Sequence, residues 1–465
     1  MRHWWLVVLV VLGLSAVAQA QPGTTQGPQP TASKMRDLMQ IRQSGVLRVL
    51  VNQSRSVSGV VSGQSIGSAN PRLQAFVQEL NQGLGKGQTV RLQLIPLPKS
   101  LLLDALLRGE GDLMVPGELF ELPAAANGQV TRVSVQEPVP LVVVSHASAR
   151  RYQQFSQMAG RVLVLPVGSV AEGPLLQINQ KLRLGKLPPL MLERADPSLA
   201  PEDVLEMLHA GIYNHGVVEL ALAQRWAKVL PKLRIDRQLD MHYAAPLSWF
   251  LRRDASDLLA SVERFNQRYK PAANDDAWLH KVYRNQYRVH YPLNRADRQR
   301  LQRVRPTLQK YAKEQNLDWL ALAAVAYKES SLNPNARGAN GIAGLMQMSP
   351  ATARAVGVSN AQPLDNNVKA ASLYMARLRR LFFNSPQIAE HERMAFIWAA
   401  YNLGPQRVQN LRALAKQQGL NPNQWFFQVE RVAADKYGQR VAGYAASVNK
   451  YYQAFERDRD FLELR

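Results

Sequence analysis

The chain has 465 residues, 46% of them hydrophobic, which suffices for two or three domains with packed cores and excludes a mini-protein or a disordered tail. Lys and Arg number 57 against 35 Asp and Glu, and the resulting formal charge of +22 favours an anionic partner. The absence of cysteine excludes a disulfide framework, a thiolate metal site, a cysteine nucleophile and a lipid-modified cysteine anchor.

Arg2 and His3 precede an apolar run from Trp4 to Val17, and Ala18-Gln19-Ala20 supplies a small-x-small pattern before Gln21. Residues 1–20 are therefore expected to be an export signal that is cleaved, because the run falls short of the roughly 20 residues a spanning helix needs. An exported basic chain meets an anionic cell envelope rather than nucleic acid, and no nucleic-acid-binding motif is present. Residues 21–34, QPGTTQGPQPTASK, are too rich in Pro, Gly, Gln and Thr to bury a core and are expected to form a flexible leader.

From Leu47 to Lys270 strand-like runs alternate with helical ones. They are LRVLV (47–51), a helix from about Arg72 to Leu84, VRLQLIPL (90–97), a helix over Leu101–Arg108, PLVVVS (140–145) and RVLVLPVG (161–168). A helix over 172–183, PEDVLEMLHAG (201–211), a short NHGVVEL segment and LALAQRWAKVL follow. This rhythm predicts an α/β domain over residues 35–270. Gly63-Gln64-Ser65-Ile66-Gly67 matches the G-x-S-x-G of a serine nucleophile, but it lies in a Ser/Gly-dense run without His and Asp partners and reads as a flexible loop. The 8 histidines contain no H-x-x-x-H pair, so no zinc site is expected.

After Lys270 the strand signal stops. Residues 271–297 read as a linker, and 298–465 as consecutive helices punctuated by Gly, Pro and Asn. From residue 296 onward there are 24 basic and 13 acidic residues, so both halves are basic and charge does not locate the working half.

The order of segments in the first half resembles the periplasmic solute-binding family, through SGVLRVLVNQ (44–53), LLLDALLRGEGDL (101–113), AGRVLVLPVGS (159–169), APEDVLEMLHAG (200–211) and PLSWFLRRDASDLLASVERFNQ (246–267). The resemblance implies two lobes joined by crossings near Val142 and Met241, which form a hinge around a ligand. The family's Thr and Arg carboxylate clamp has no counterpart in GELFELPAAANGQVTR, where Arg132 stands too close to VSVQEPV (133–139). This departure counts against an amino-acid ligand. A small ligand or muropeptide, or a scaffold role without one, stays open.

In the second half Asp318 can cap a helix through WLALAAVAYKESS that must end before Pro334. Leu322, Val325, Ala326 and Glu329 then share a face, and a carboxyl drawn towards apolar surroundings has its pKa raised, as a general acid near neutral pH requires. Periodicity alone equally allows Glu329 to pair with a buried Arg or to point to water.

The stretch ESSLNPNARGANGIAGLMQ (329–347), followed by MSPATARAVGV, AAYNLGP (399–405) and QRVAGYAASVNKYYQAF (439–455), resembles the catalytic domain of the family 1 lytic transglycosylases. The implied fold class is an α/β two-lobed periplasmic-binding-protein-like domain followed by a mainly α lysozyme-like domain of the SLT or goose type. The implied catalytic residue is Glu329, with Ser330, Gly344, Met346, Gln347, Tyr401, Asn402 and Tyr444 on the substrate side. By composition alone, Met346 and Tyr444 would be core residues, and Ser349-Pro350 is a helix start.

The implied activity is that of a peptidoglycan lytic exotransglycosylase, similar to glycoside hydrolase family 23. It cleaves the MurNAc-GlcNAc β-1,4 bond without water and leaves 1,6-anhydro-MurNAc ends, with a single Glu as acid and then base. No metal and no cofactor are expected. The expected partners are peptidoglycan glycan strands and, peripherally, the inner face of the outer membrane, in the periplasm. The competing reading is a non-catalytic envelope sensor that grips glycan and binds a small ligand.

Overall fold

The computed structural model describes residues 35–54, 59–61, 64–66, 70–85, 87–271 and 289–463. The expected signal, leader and most of the linker lie outside the described residues, as do Gly63 and Gly67 of the G-x-S-x-G match.

The apolar runs at Val46–Asn52 and Leu113–Val115 fold as largely buried strands. Val46–Asn52 pairs in parallel with Arg91–Leu97 on one side and Leu113–Val115 on the other. Among the described residues these belong to a nine-stranded sheet, in the order Arg91–Leu97, Val46–Asn52, Leu113–Val115, Ala244–Arg252, Val130–His146, His215–Glu219, Val162–Leu165 and Met191–Arg194; Leu233–Asp236 also pairs with Val130–His146. The strand Val130–His146 runs through both lobes. Up to Pro140 it pairs with Ala244–Arg252, and from Leu141 to Ser145 with His215–Glu219. The expected crossings fall at Leu141 and Tyr243, whose backbones bond at 3.2 Å. The α/β two-lobed fold is thus as read from the sequence.

Two local expectations change. The helix predicted over 72–84 runs over Asn70–Leu80. It stops early because the Asn81 side chain bonds both the N–H and the carbonyl of Val90, at 2.7 and 2.9 Å, and folds the glycine-rich turn back. PLVVVS, read as a run of its own, is the end of one strand of 17 residues that begins at Val130. Pro138 and Pro140 are accommodated opposite Pro246 and Ala244, where the ladder slips its register between Pro246 and Ser248.

The helical half begins at Arg295, where the Asn294 side chain accepts from the Asp297 N–H at 3.0 Å. Its central helix, Trp319–Ser330, is capped by Asp318, whose carboxylate accepts from Leu320 N–H at 3.0 Å. Every residue from Trp319 to Tyr327 is buried, as befits a helix that is apolar all round. It packs along the helices Gln439–Arg457 and Arg295–Glu314, and Gln439–Arg457 also packs on Glu390–Leu403.

One apolar core joins this domain to the second lobe: Val204, Leu208 and Trp226 belong to the same cluster as Leu308, Leu322 and Phe455. Polar contacts fix the register of that joint. Fully buried Lys450 pairs with Asp203 at 2.9 Å and with Glu206, and Asn449 donates to Ser198 at 2.8 Å. Arg457 donates to the Ile212 carbonyl at 2.8 Å and pairs with Glu193 at 3.0 Å. Gln428 reaches the first lobe, donating to the Pro96 carbonyl at 2.8 Å. Burial pushes the Glu206 carboxyl above its ordinary pKa, and the Lys450 ammonium opposes that shift.

Replacing Lys450 by Met leaves two buried carboxylates without their cation. The expected cost is about 3 kcal/mol. It should appear as a lower denaturation midpoint of the helical domain in the full chain, and Glu206→Gln in the same background should recover part of it.

Candidate active site

The central helix ends where the candidate residues gather. Ser331 and Leu332 both take left-handed backbone, φ 52° and 62°, so the chain turns sharply after Glu329 and Ser330. Glu329 is half-buried, and the Tyr444 hydroxyl, from the helix Gln439–Arg457, donates to its Oε1. Burial raises the Glu329 pKa above the ordinary carboxylate range; the Tyr444 hydrogen bond and the Lys328 charge pull it back in part. No second carboxylate is among the charges that shift it. Burial, reinforced by the Glu329 charge, holds the Tyr401 and Tyr444 phenols far from ionisation. Glu329 is therefore a carboxyl whose protonated form is favoured and which keeps a neutral phenol as hydrogen-bond donor.

Facing it, the segment after the helix is tied down by its own polar groups. Ser330 Oγ bonds the carbonyls of Ala326 at 3.0 Å and Leu345 at 2.7 Å, and accepts from the Asn333 N–H at 3.1 Å. Its hydroxyl therefore anchors the Gly344–Gln347 turn to the end of the helix. Gly344 has φ +83°, and a Cβ there would stand 2.5 Å from Asn367 Cγ, so only glycine fits. Fully buried Asn367 accepts from Met346 N–H at 2.7 Å and donates to the carbonyls of Ala343 and Ala361 at 2.9 and 2.7 Å.

Gln347, at φ 46°, turns its amide nitrogen to the carbonyls of Gly344 at 2.9 Å and Ala336 at 3.3 Å. Met346, named for the substrate side, has a fully buried side chain; it is the Met346 carbonyl that receives the Tyr401 hydroxyl, at 2.7 Å. This agrees with the compositional reading of Met346 as core. Asn402 is exposed beside Tyr401 and makes no side-chain hydrogen bond among the described residues, before Gly404 at φ +85° ends the helix. Glu329 and Tyr444 thus meet, Ser330 and Tyr401 are tied to the Gly344–Gln347 turn through the carbonyls of Leu345 and Met346, and Asn402 makes no side-chain hydrogen bond among the described residues. Asn367 escaped the sequence reading: an asparagine in the first turn of a helix looks like an end signal, and only the fold brings it under Gly344.

A second pocket lies between the two lobes, a cavity of about 360 Å³. Glu118, Glu202 and Glu219 line it, with Arg72 and Arg225. Ser54 of the first lobe bonds Glu202 of the second at 3.0 Å, and the Leu119 N–H bonds Glu219 at 3.1 Å, so the cleft is bridged. Burial and the Glu219 charge raise the Glu118 carboxyl to about 7 against the opposing pull of Lys99, 3.3 Å away. Arg132, the doubtful clamp residue, lies exposed on its strand opposite Phe250 and is not part of the lining.

The fold is a two-lobed solute-binding-like domain joined to a lysozyme-like helical domain; residues 306–424 match the family described as "Transglycosylase SLT domain". That match contains Glu329, Gln347 and Asn402 and ends before Tyr444. Over its greater length the chain is similar to membrane-bound lytic murein transglycosylase F. It is 25% identical to that of Cronobacter sakazakii over 88% of this chain and 77% of the relative. It is 26% identical to that of Desulfosudis oleivorans over 84% and 83%. With the Vibrio cholerae protein identity reaches 31%, over 51% of this chain and 46% of that one. Among solved structures, an arginine-bound amino acid transporter substrate-binding protein from Streptococcus pneumoniae aligns with 53% of this chain and 97% of its own, at 18% identity and a TM-score of 0.41.

The hydrogen bond from Tyr444 stabilises the Glu329 anion, so removing it raises the carboxyl pKa further. A reaction that needs protonated Glu329 is lost as pH rises through that pKa. Tyr444→Phe should therefore move the alkaline limb of the pH profile for sacculus lysis to higher pH, while the maximal rate falls about tenfold or more through lost orientation.

Proposed function

We propose that the chain is an exported peptidoglycan lytic transglycosylase that acts in the periplasm, in peripheral contact with the outer membrane, and cuts the MurNAc-GlcNAc β-1,4 bond without consuming water. The single observation that carries the reading is Glu329: one half-buried carboxyl with a raised pKa, held by a phenol and with no carboxylate partner among the groups that shift it. Two-carboxylate hydrolysis needs a second acid as base or nucleophile. One carboxyl suffices when the substrate carries its own nucleophile.

Protonated Glu329 gives its proton to the glycosidic oxygen, and the bond from that oxygen to the muramoyl C1 breaks. The Glu329 carboxylate then takes the proton of the C6 hydroxyl, whose oxygen bonds C1 and closes the 1,6-anhydro ring. The acid is regenerated, and the attacking group is already tethered, so a high effective molarity replaces a bound water. Asn402, with its amide unengaged, is assigned to an acetamido group of the glycan. Gln347 and Ser330 shape the groove through the Gly344 turn, and Tyr444 orients Glu329.

Glu329→Gln keeps the size of the side chain and removes the proton source. It should fold normally and lose sacculus lysis by a thousandfold or more, on the order of removing an essential catalytic group. Mass spectrometry of wild-type digests should find anhydro-muramoyl ends; reducing ends in their place would refute the mechanism.

The inter-lobe cavity supports a small amine-bearing ligand. Glu202 and Glu219 on its lining can meet an amine beside Arg72 and Arg225, while Glu118 is paired with Lys99, and its volume is that of small-molecule sites. A short diamine or a muropeptide with a free amine should raise the unfolding midpoint of the full chain, and Glu219→Gln should remove the rise. An equal rise with an amine-free sugar acid would count against this ligand class.

A further inference from the structure

The far edge of the second lobe carries an apolar surface that neither the glycan site nor the cleft uses. The helix Glu172–Leu184 runs into a turn and then into Met191–Arg194, the edge strand of the sheet. Leu184 is 80% exposed, Leu176 and Met191 54% each, and Leu187 38%. In this stretch of helix end, turn and edge strand, four large apolar side chains face solvent, whereas single exposed apolar residues scattered over a surface would need no explanation. Gly185 and left-handed Lys186, φ 57°, turn the chain so that Leu184 and Leu187 project from the tip.

The charge of the same segment is of one sign. From Leu176 to Leu192 there are three cations, Lys181, Arg183 and Lys186, and no acid. Lys181, Arg183 and Lys186 make no ion pair among the described residues, and Arg183 and Lys186 are exposed. The nearest acids are engaged: Glu172 with Arg194, and Glu193 with Arg457. Beside the tip opens a groove of about 480 Å³ whose apolar walls include Phe155, Pro174, Ile178, Leu187 and Met241, with Lys181 also on its lining. Asp240 and His242, also on the groove, pair with each other at 3.0 Å.

Projecting leucines ringed by unpaired cations match an anionic bilayer surface, where apolar side chains enter the headgroup region and lysine and arginine meet lipid phosphates. We propose that this tip of the second lobe docks the protein on an anionic lipid surface, with Leu184 and Leu187 inserted, Lys181, Arg183 and Lys186 on the phosphates, and the neighbouring groove against the acyl boundary. The inference gives the peripheral membrane contact proposed above a place on the molecule and rests on that reading only for where the bilayer is met. Because Glu193 of the edge strand pairs with Arg457, on the helix that also carries Tyr444, the docked tip holds the catalytic domain at a fixed orientation to the membrane.

The test is co-sedimentation of the full chain with vesicles of phosphatidylglycerol and phosphatidylcholine, and with phosphatidylcholine alone, at low and high salt. Two variants are compared with the wild type: Leu184→Ser with Leu187→Ser, and Lys181→Gln with Arg183→Gln and Lys186→Gln. The wild type should bind the anionic vesicles with a salt-sensitive partition, and each variant should lower that partition about tenfold or more. Lysis of sacculi in solution should stay unchanged in both variants, which separates this result from any failure of the enzymatic reading. The proposal is overturned if the wild type ignores anionic vesicles, or if both variants bind as well as it does. It is equally overturned if the leucine variant loses only self-association in sedimentation velocity, since the surface would then belong to a second copy of the chain.

Discussion

The packing of the central helix Trp319–Ser330 against the long helix Gln439–Arg457 is the constraint on which the rest depends. The first is apolar on every face and must be enclosed; the second encloses it and brings two polar side chains to places the solvent does not reach. Near its start Tyr444 meets Glu329, and two turns later Lys450 meets Asp203 and Glu206 of the neighbouring lobe. The Tyr444–Glu329 contact and the joint between domains are therefore set by one helix. A shift of that helix along its axis moves both together, because packed helices interlock and do not slide freely.

Buried ionisable groups recur, and each is resolved in a different way. Lys450 is offset by two carboxylates, so it acts as a register pin whose loss exposes an unbalanced charge to a low-dielectric interior. Glu118 in the cleft has a lysine on one side and a second carboxylate nearby, which leaves it close to neutrality in its preference for a proton. Glu329 has only a phenol and a partly opposing lysine, and its pKa stays raised. Burial raises Glu118 and Glu329 alike, and what stands around each group sets how far that shift is opposed.

Much of the architecture was legible in the residues. Near-continuous apolar runs such as Val46–Val51 mark buried parallel strands, and the change to helical texture after Lys270 marks the second domain. Asp318 and Pro334 bracket the central helix because a cap and a ring-locked residue act locally. The misread elements failed for equally physical reasons. The helix after Asn70 ends where the Asn81 side chain takes over the backbone of Val90, a contact across the turn that periodicity does not register. The strand continues through Pro138 and Pro140, which stand opposite Pro246 and Ala244, and its ladder slips register just beyond them.

By itself the sequence determined which groups are available for chemistry: one glutamate at the end of an apolar helix, a glycine turn, an Ala-Tyr-Asn helix end and a late tyrosine, with no cysteine among them. Only the tertiary structure decided what each group does. It made Ser330 and Asn367 the struts of the Gly344 turn, sent the Met346 side chain into the core, placed the Tyr444 phenol on Glu329, and aligned Leu184 and Leu187 on an outer edge. The reason is range. Caps, turns and periodicity are short-range and written in neighbouring residues, whereas desolvation and hydrogen-bond partnership depend on groups brought together by the packing of whole helices, such as Tyr444 and Glu329, 115 positions apart.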